Sequence, residues 1–239
     1  MLPQAYHSRL SNDEAMNILL FGATGMVGRG VLRECLQDPD VESVQTVGRS
    51  ATGVNSAKLQ EILHQDLWHY EAIEAALSGF DACFFCLGVS VRGMAEEDYE
   101  RVTYGITIAV AEVLCRLNPA MTFIYVSGAG TDSSEKGRSM WARIKGQTEN
   151  ALLRMPFASA YMFRPGLIQP LDGIRSKTTW YRVLYAFSKP FLPLLRWTFP
   201  DFVLTTRQIG QAMLTVAADG YPKRILESKD IRAAAGPET

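Results

Sequence analysis

The stretch Leu19-Leu20-Phe21-Gly22-Ala23-Thr24-Gly25-Met26-Val27-Gly28 decides the fold. Before it, Asn17 to Phe21 is an apolar run; after it, Met26 to Gln37 is amphipathic; between them stand glycines spaced Gly-x-x-Gly-x-x-Gly. An apolar run, a glycine turn and then helical periodicity read as strand, tight turn and helix. Gly22 makes the turn without a Cβ, Gly25 lets the backbone approach a ligand, and Gly28 lets the helix pack closely on the strand. The N–H groups of the turn and first helical residues, Thr24, Met26 and Val27 among them, together with the helix dipole, favour a pyrophosphate. A glycine triplet alone is weak evidence; the strand–turn–helix context makes it specific.

Working outward, the same alternation continues. Val41 to Val47 reads as a second strand, closed by Gly48-Arg49-Ser50. In dinucleotide folds this strand end faces the adenosine ribose, where an acid holds the 2′-hydroxyl of NAD and a base accommodates the 2′-phosphate of NADP. Here the residue is Arg49, with Glu42 at the opposite end of the strand, so NADP(H) is expected over NAD(H) and Arg49 and Ser50 are candidate ligands. Leu59 to Leu67 reads as a third strand ending in Asp66-Leu67, and a short helix follows from Tyr70 to Leu77. Asp81 to Leu87 is apolar enough for a central parallel strand, with Gly88 ending it. Its Cys83 and Cys86 fall on opposite faces of a strand, which suits two core thiols rather than a redox pair.

A long helix is expected from Glu96 to Leu117, a fifth strand from Met121 to Val126, a polar loop from Thr131 to Arg138, a helix from Ser139 to Met155 and a strand from Phe157 to Phe163. Strands alternating with helices give a Rossmann-type α/β fold, a doubly wound parallel sheet. Thr205 to Asp219 reads as a helix with Thr205 or Thr206 as N-cap and Gly220 past its end; Ile225 and Leu226 form a last short strand, and Ala233 to Thr239 is expected to fray. The domain reading is a polar lead-in over 1–16 and one nucleotide-binding domain over 17–239. Within it, 166–220 is a small helical lid on the substrate side. Trp180, Tyr181, Tyr185, Phe187, Phe191 and Trp197 in that segment suit a lid, a homodimer face or ordinary core.

The chain has 239 residues and a net charge of −1. That suits a single domain and gives no basic excess for nucleic acid. The apolar stretch from Trp180 to Phe202 is broken by charges and prolines and is no bilayer span. Met1 to Met16 lacks the apolar core of a signal peptide. Cys35, Cys83, Cys86 and Cys115 read as reduced thiols, and the expected location is cytoplasmic. No Cys/His cluster has metal spacing; His64 and His69 read as surface or packing histidines.

From Asn17 to about Leu226 the chain resembles the short-chain dehydrogenase/reductase superfamily, in its extended or atypical branch. Gly22-x-x-Gly25-x-x-Gly28 is similar to that branch's cofactor turn, and Asp66-Leu67 resembles the pair that meets the adenine ring. Cys86-Leu87-Gly88 sits where the fourth strand passes under the cofactor's riboses. The resemblance implies that Ser127 is the catalytic serine, that Lys145 is the lysine bonding the nicotinamide ribose, and that Arg164-Pro165-Gly166 matches the Arg-Pro-Gly of sugar-nucleotide epimerase relatives, with Pro165 near the cofactor. Ser127-Gly128-Ala129-Gly130 also resembles the NmrA-like and Tat-interacting-protein-like groups, which include cofactor-binding regulators. One departure stands out. The family's Tyr-x-x-x-Lys reads Trp141-Ala142-Arg143-Ile144-Lys145. The helical spacing is kept, but an indole N–H only donates a hydrogen bond, whereas a phenol also exchanges a proton. Tyr99, Tyr104, Tyr181 and Tyr185 are other phenols, each read as a packing aromatic. Two functions follow from the resemblance. One is hydride transfer between NADPH and a small carbonyl or sugar-like substrate, with Ser127 and Trp141 holding its oxygen. The other is a catalytically silent NADP(H)-binding regulator or redox sensor that acts through a protein partner.

Overall fold

Ile18, Leu19, Leu20 and Phe21 are all fully buried, which a strand achieves only when both faces are covered. In the computed structural model, which describes residues 15–174 and 202–237, these residues form β1 (Met16–Phe21). The other strands are β2 (Val41–Gly48), β3 (Leu59–Leu63), β4 (Ala82–Phe85), β5 (Thr122–Val126), β6 (Ser159–Arg164), β7 (Leu167–Gln169), β8 (Val203–Thr205) and β9 (Ile225–Glu227). Seven of them make one sheet in the order β3-β2-β1-β4-β5-β6-β9. Every neighbouring pair is parallel, with Leu20 opposite Thr46 on one side and Phe84 on the other. The order reverses between β1 and β4, and the crevice at such a reversal is where open α/β sheets bind ligands.

Alternation along the strands sends residues to two cores. Ile18, Leu20 and Phe84 pack with Val31 and Leu32 of α1 (Met26–Gln37). Leu19, Phe21, Cys83 and Phe85 pack with Val110 and Leu114 of a later helix. Cys83 and Cys86 lie in different cores, as strand geometry requires. Among the described residues the α-helices after α1 are α2 (Glu96–Glu100), α3 (Ile106–Leu117), α4 (Met140–Arg154), α5 (Thr206–Asp219) and α6 (Ser228–Ala235). α1, α5 and α6 cover one face of the sheet and α3 and α4 the other, so the sheet is doubly wound.

Glycines let α5 seat on α1. A Cβ at Gly30 would stand 2.5 Å from the Thr206 Cβ, and one at Gly210 would stand 2.7 Å from the Glu34 Cγ. Thr205 caps α5: its hydroxyl accepts from the Gln208 amide while the Gln208 side chain accepts from the Thr205 amide. Thus Thr206–Asp219 is a covering layer of the sheet. The aromatic segment expected to form a lid lies outside the described residues, as does most of the lead-in.

Several boundaries differ from the sequence reading. β3 ends at Leu63 rather than Leu67, because Asp66 folds the chain into a turn by accepting from the Trp68 amide at 3.0 Å. The helix expected over Tyr70 to Leu77 is a single 3₁₀ turn, Glu74–Leu77. The long helix from Glu96 to Leu117 contains a π-helical turn, Arg101–Gly105, which widens it in the middle. Of the tail expected to fray, Ala233–Ala235 is the last turn of α6, a helix held by fully buried Ile231 and a reciprocal cap between Glu227 and Asp230.

Candidate functional site

The glycine turn is shaped by close approach. Gly22 has φ +82°, and a Cβ there would stand 2.6 Å from the Cys86 carbonyl group. A Cβ at Gly28 would stand 2.1 Å from the Gly22 carbonyl oxygen. No larger residue fits either place with the turn as it is. Gly25 is the N-cap of α1, no side chain caps the helix, and its first turn holds no acid. Bonding within the helix begins with the Arg29 amide donating to Gly25 at 2.9 Å. The amides of Met26, Val27 and Gly28 are therefore the open end of a helix dipole, fit for an anion.

Beside this turn is a cavity of about 110 Å³. Gly22, Ala23 and Thr24 form one wall and Thr46, Val47, Gly48, Arg49, Ser50 and Thr52 the other, with Leu67 and Leu87 between. The Arg49 side chain is exposed and has no ion-pair partner among the described residues. Its loop is fixed by the backbone: Gln65 Nε2 donates to the Arg49 carbonyl at 2.9 Å, and the Thr52 amide donates to Glu61 at 2.7 Å. Of the residues read as cofactor ligands, Gly22, Thr24, Arg49, Ser50, Leu67 and Leu87 line this cavity. Gly25, Met26, Val27 and Gly28 form the adjoining turn, and Cys86 backs Gly22. Burial pushes the Cys86 thiol up to about 12, so it carries no thiolate chemistry at neutral pH. Gly88, Pro165 and Lys145 do not line the cavity, and neither does Asp66. Asp66 bonds His69 Nδ1 at 2.9 Å. That bond, and then the Trp68 amide, holds its carboxyl below the usual range, while Asp66 raises His69.

A second group gathers at the ends of β5 and β6. Ser127 follows β5, and its amide donates to the Phe163 carbonyl at 2.8 Å. Its hydroxyl points inward and donates to Glu149 Oε1 at 2.5 Å, with a longer approach of 3.1 Å to the Phe163 carbonyl. Glu149 lies on α4 and is fully buried. Arg164 grips it two-pronged, Nε at 3.0 and 3.1 Å from its two oxygens and a terminal nitrogen at 2.5 Å from Oε2. Arg164 also reaches Glu227 at 3.2 Å and the Ser133 hydroxyl at 2.5 Å. Lys145 Nζ donates to the Ser127 carbonyl. Burial pushes its ammonium down to about 8, with Glu149 acting in the opposite sense. Trp141 packs on the Ser127–Gly130 loop, its ring 3.4 Å from where a Gly130 Cβ would stand.

The structure thus brings Ser127, Trp141 and Lys145 together around one loop, with Lys145 on the serine's carbonyl rather than its hydroxyl. Glu149 was missed in the sequence; its only signal is one helical turn's spacing after Lys145. Tyr99 is 2 % exposed and closed off from any substrate; Tyr181 and Tyr185 lie outside the described residues.

The sequence model of a family described as NAD(P)H-binding matches residues 22–159, and the chain belongs to that family. It is 28% identical over 217 residues to Protein FMP52-2, mitochondrial, of Scheffersomyces stipitis, covering 87% of this chain and 90% of the relative. Its fold is similar to a short chain dehydrogenase family protein from Francisella tularensis (TM-score 0.60, 16% identity, 86% of this chain and 92% of that one). It is also similar to the Bordetella bronchiseptica enzyme WbmF in complex with NAD+ (TM-score 0.64, 12% identity, 93% and 78%). The architecture is that of short-chain dehydrogenases/reductases and epimerases, with a nucleotide cofactor site. The cytoplasmic expectation is corrected: the FMP52 proteins of Scheffersomyces stipitis and Aspergillus terreus bear mitochondrial names. Reduced core cysteines and a small net charge do not distinguish the cytosol from other reducing compartments.

Proposed function

We propose that the chain is an NADP(H)-dependent oxidoreductase of the atypical short-chain dehydrogenase/reductase type, acting on a small carbonyl or sugar-like substrate. The observation that carries this reading is the cavity of about 110 Å³ with the glycine turn on one wall and, on the other, the exposed Arg49, which has no ion-pair partner among the described residues. Met26, Val27 and Gly28 would hold the pyrophosphate through their amides, Leu67 and Leu87 would flank the adenine, and Arg49 with Ser50 would meet a 2′-phosphate. Gly88 and Pro165 would lie further along, toward the nicotinamide. When bound, the dinucleotide supplies or accepts the hydride. Ser127, Trp141 and Lys145 are the candidate residues on the substrate side.

Calorimetric titration with NADPH, NADP⁺, NADH and NAD⁺ tests it. Tighter binding of the phosphorylated pair is the expected result; absence of binding to all four overturns the reading. Trp141 favours a second reading, a silent NADP(H)-binding regulator, because the indole carries no exchangeable acid. Under that reading the wild type is inert over a carbonyl panel and Trp141→Tyr gains NADPH oxidation.

A further inference from the structure

We propose that Lys145 is the proton-exchanging group of this site, giving its ammonium proton to the substrate's carbonyl oxygen in the direction of reduction. The proposal rests on the oxidoreductase reading above and assigns the step for which that reading lacks an acid.

Elimination among the clustered side chains comes first. Trp141 donates a hydrogen bond but releases no proton. Ser127 has one hydroxyl proton, and the carboxylate of Glu149 holds it at 2.5 Å. Only lone pairs remain on that oxygen for an incoming ligand, so it accepts from a substrate hydroxyl and has nothing to give to a carbonyl. Lys145 has three N–H donors, and among the described residues one goes to the Ser127 carbonyl. The other two have no partner among the described residues.

Its surroundings favour an amine that can lose its proton. The ammonium is desolvated, and Glu149, one turn further along α4, is the charge that sustains it. That carboxylate is shared with Arg164 of β6, which also binds Glu227 at the end of β9. Several charged groups on the other elements against α4 are engaged elsewhere, and half-buried Tyr104 of the Arg101–Gly105 turn makes no bond to Lys145 among the described residues. Asp132 accepts from its own loop at Ser134 and Gly137, Glu96 of α2 pairs with Arg143, and Arg101 lies over Trp68. Tyr99 and Tyr125 are buried phenols raised by desolvation. None of these is bonded to Lys145. In the reaction, the carbonyl carbon gains a hydride as the dihydronicotinamide is oxidised, and the carbonyl oxygen gains the Lys145 proton. The ammonium becomes an amine, and solvent returns the proton.

The test uses the full chain with saturating cofactor. The first readout is the Lys145 side-chain nitrogen resonance with NADP⁺ bound, assigned by its loss in Lys145→Arg; it is expected to titrate below the exposed lysines. Titration together with those lysines overturns the proposal. The second is NADPH oxidation over glyoxal, diacetyl and benzaldehyde as a function of pH. The rate is expected to fall above about pH 8, and Glu149→Gln, which removes the sustaining charge, moves that fall to lower pH. Lys145→Arg is expected to lose ~100-fold or more in rate at saturating NADPH, in the range of general acid catalysis. Undiminished turnover by Lys145→Arg, or a pH limb that Glu149→Gln leaves in place, overturns the proposal while the cofactor reading stands. A wild type that binds NADPH yet turns over none of the panel overturns the enzymatic reading and this step with it. Failure to bind NADPH overturns the cofactor reading itself.

Discussion

The Ser127 hydroxyl donates to Glu149 across 2.5 Å, and the carboxylate that accepts has no exposure at all. The pair joins the end of β5 to the middle of α4, and Arg164 extends it to β6 and β9. The residue that the family resemblance assigns to substrate is thus also part of a buried ionic network.

Removing one partner of such a network leaves the other as an uncompensated buried charge. Glu149→Ala is expected to destabilise the chain by about 3–5 kcal/mol, because Glu227, more exposed, is then the one carboxylate bonded to Arg164 among the described residues. Glu149→Gln keeps acceptors for both Ser127 and Arg164 and is expected to cost less. Urea denaturation of the two variants checks the order; equal losses would remove the charge argument.

Gly28→Ala places a methyl 2.1 Å from the Gly22 carbonyl oxygen. Overpacking of this kind costs ~1–3 kcal/mol, and the turn must open to accept it, so dinucleotide binding is expected to fall as well. Gly88→Ala, whose Cβ meets nothing within 4 Å, is expected to stay within about 0.5 kcal/mol of wild type. Thermal melts and calorimetry on both report the contrast.

Arg49→Glu replaces an exposed cation with an anion at the cavity wall. Hydrogen bonds to charged groups contribute ~1.5–3 kcal/mol. NADPH affinity is therefore expected to drop roughly 10- to 100-fold, with NADH affected much less. Equal losses for both cofactors would take Arg49 out of phosphate recognition.

The turn after β3 has its own pH signature. His69 is raised by Asp66 and Asp66 is lowered by His69. The raised histidine contributes stability that is complete below its unfolded value and is lost as pH rises through its folded one. The lowered aspartate's contribution is present above its unfolded value and is lost as pH falls through the folded one. Their mutual support is expected to be greatest between those two limits, in mildly acid solution. Proton NMR should place the His69 midpoint above 6.5, the ordinary histidine value, and Asp66→Asn should bring it back toward that value.

The parallel sheet was legible in the sequence because its central strands, β1 and β4, are short apolar runs closed by glycine. The cofactor turn was legible because glycine spacing and strand–helix context coincide. Local competition hid the rest. Asp66 draws the chain out of β3 through a side-chain bond to the Trp68 amide, and apolar content alone cannot register that. The π-turn at Arg101–Gly105 leaves helical periodicity nearly intact. α6 was overlooked although Glu227 and Asp230 stand at cap spacing; the alanines after them resemble a loose tail until Ile231 is seen in the core. The Glu149–Arg164 pair joins a helix to a strand, and no local pattern reveals which buried charge meets which.

The seam between α1 and α5 carries a constraint of another kind. Gly30 faces Thr206, and Gly210 faces Glu34, so volume added on one helix must be removed from the other. These positions are free to vary only in concert. Among sequences sharing this fold, a larger residue at 30 should travel with a smaller one at 206. The cofactor helix and a segment nearly two hundred residues downstream would then record each other's substitutions.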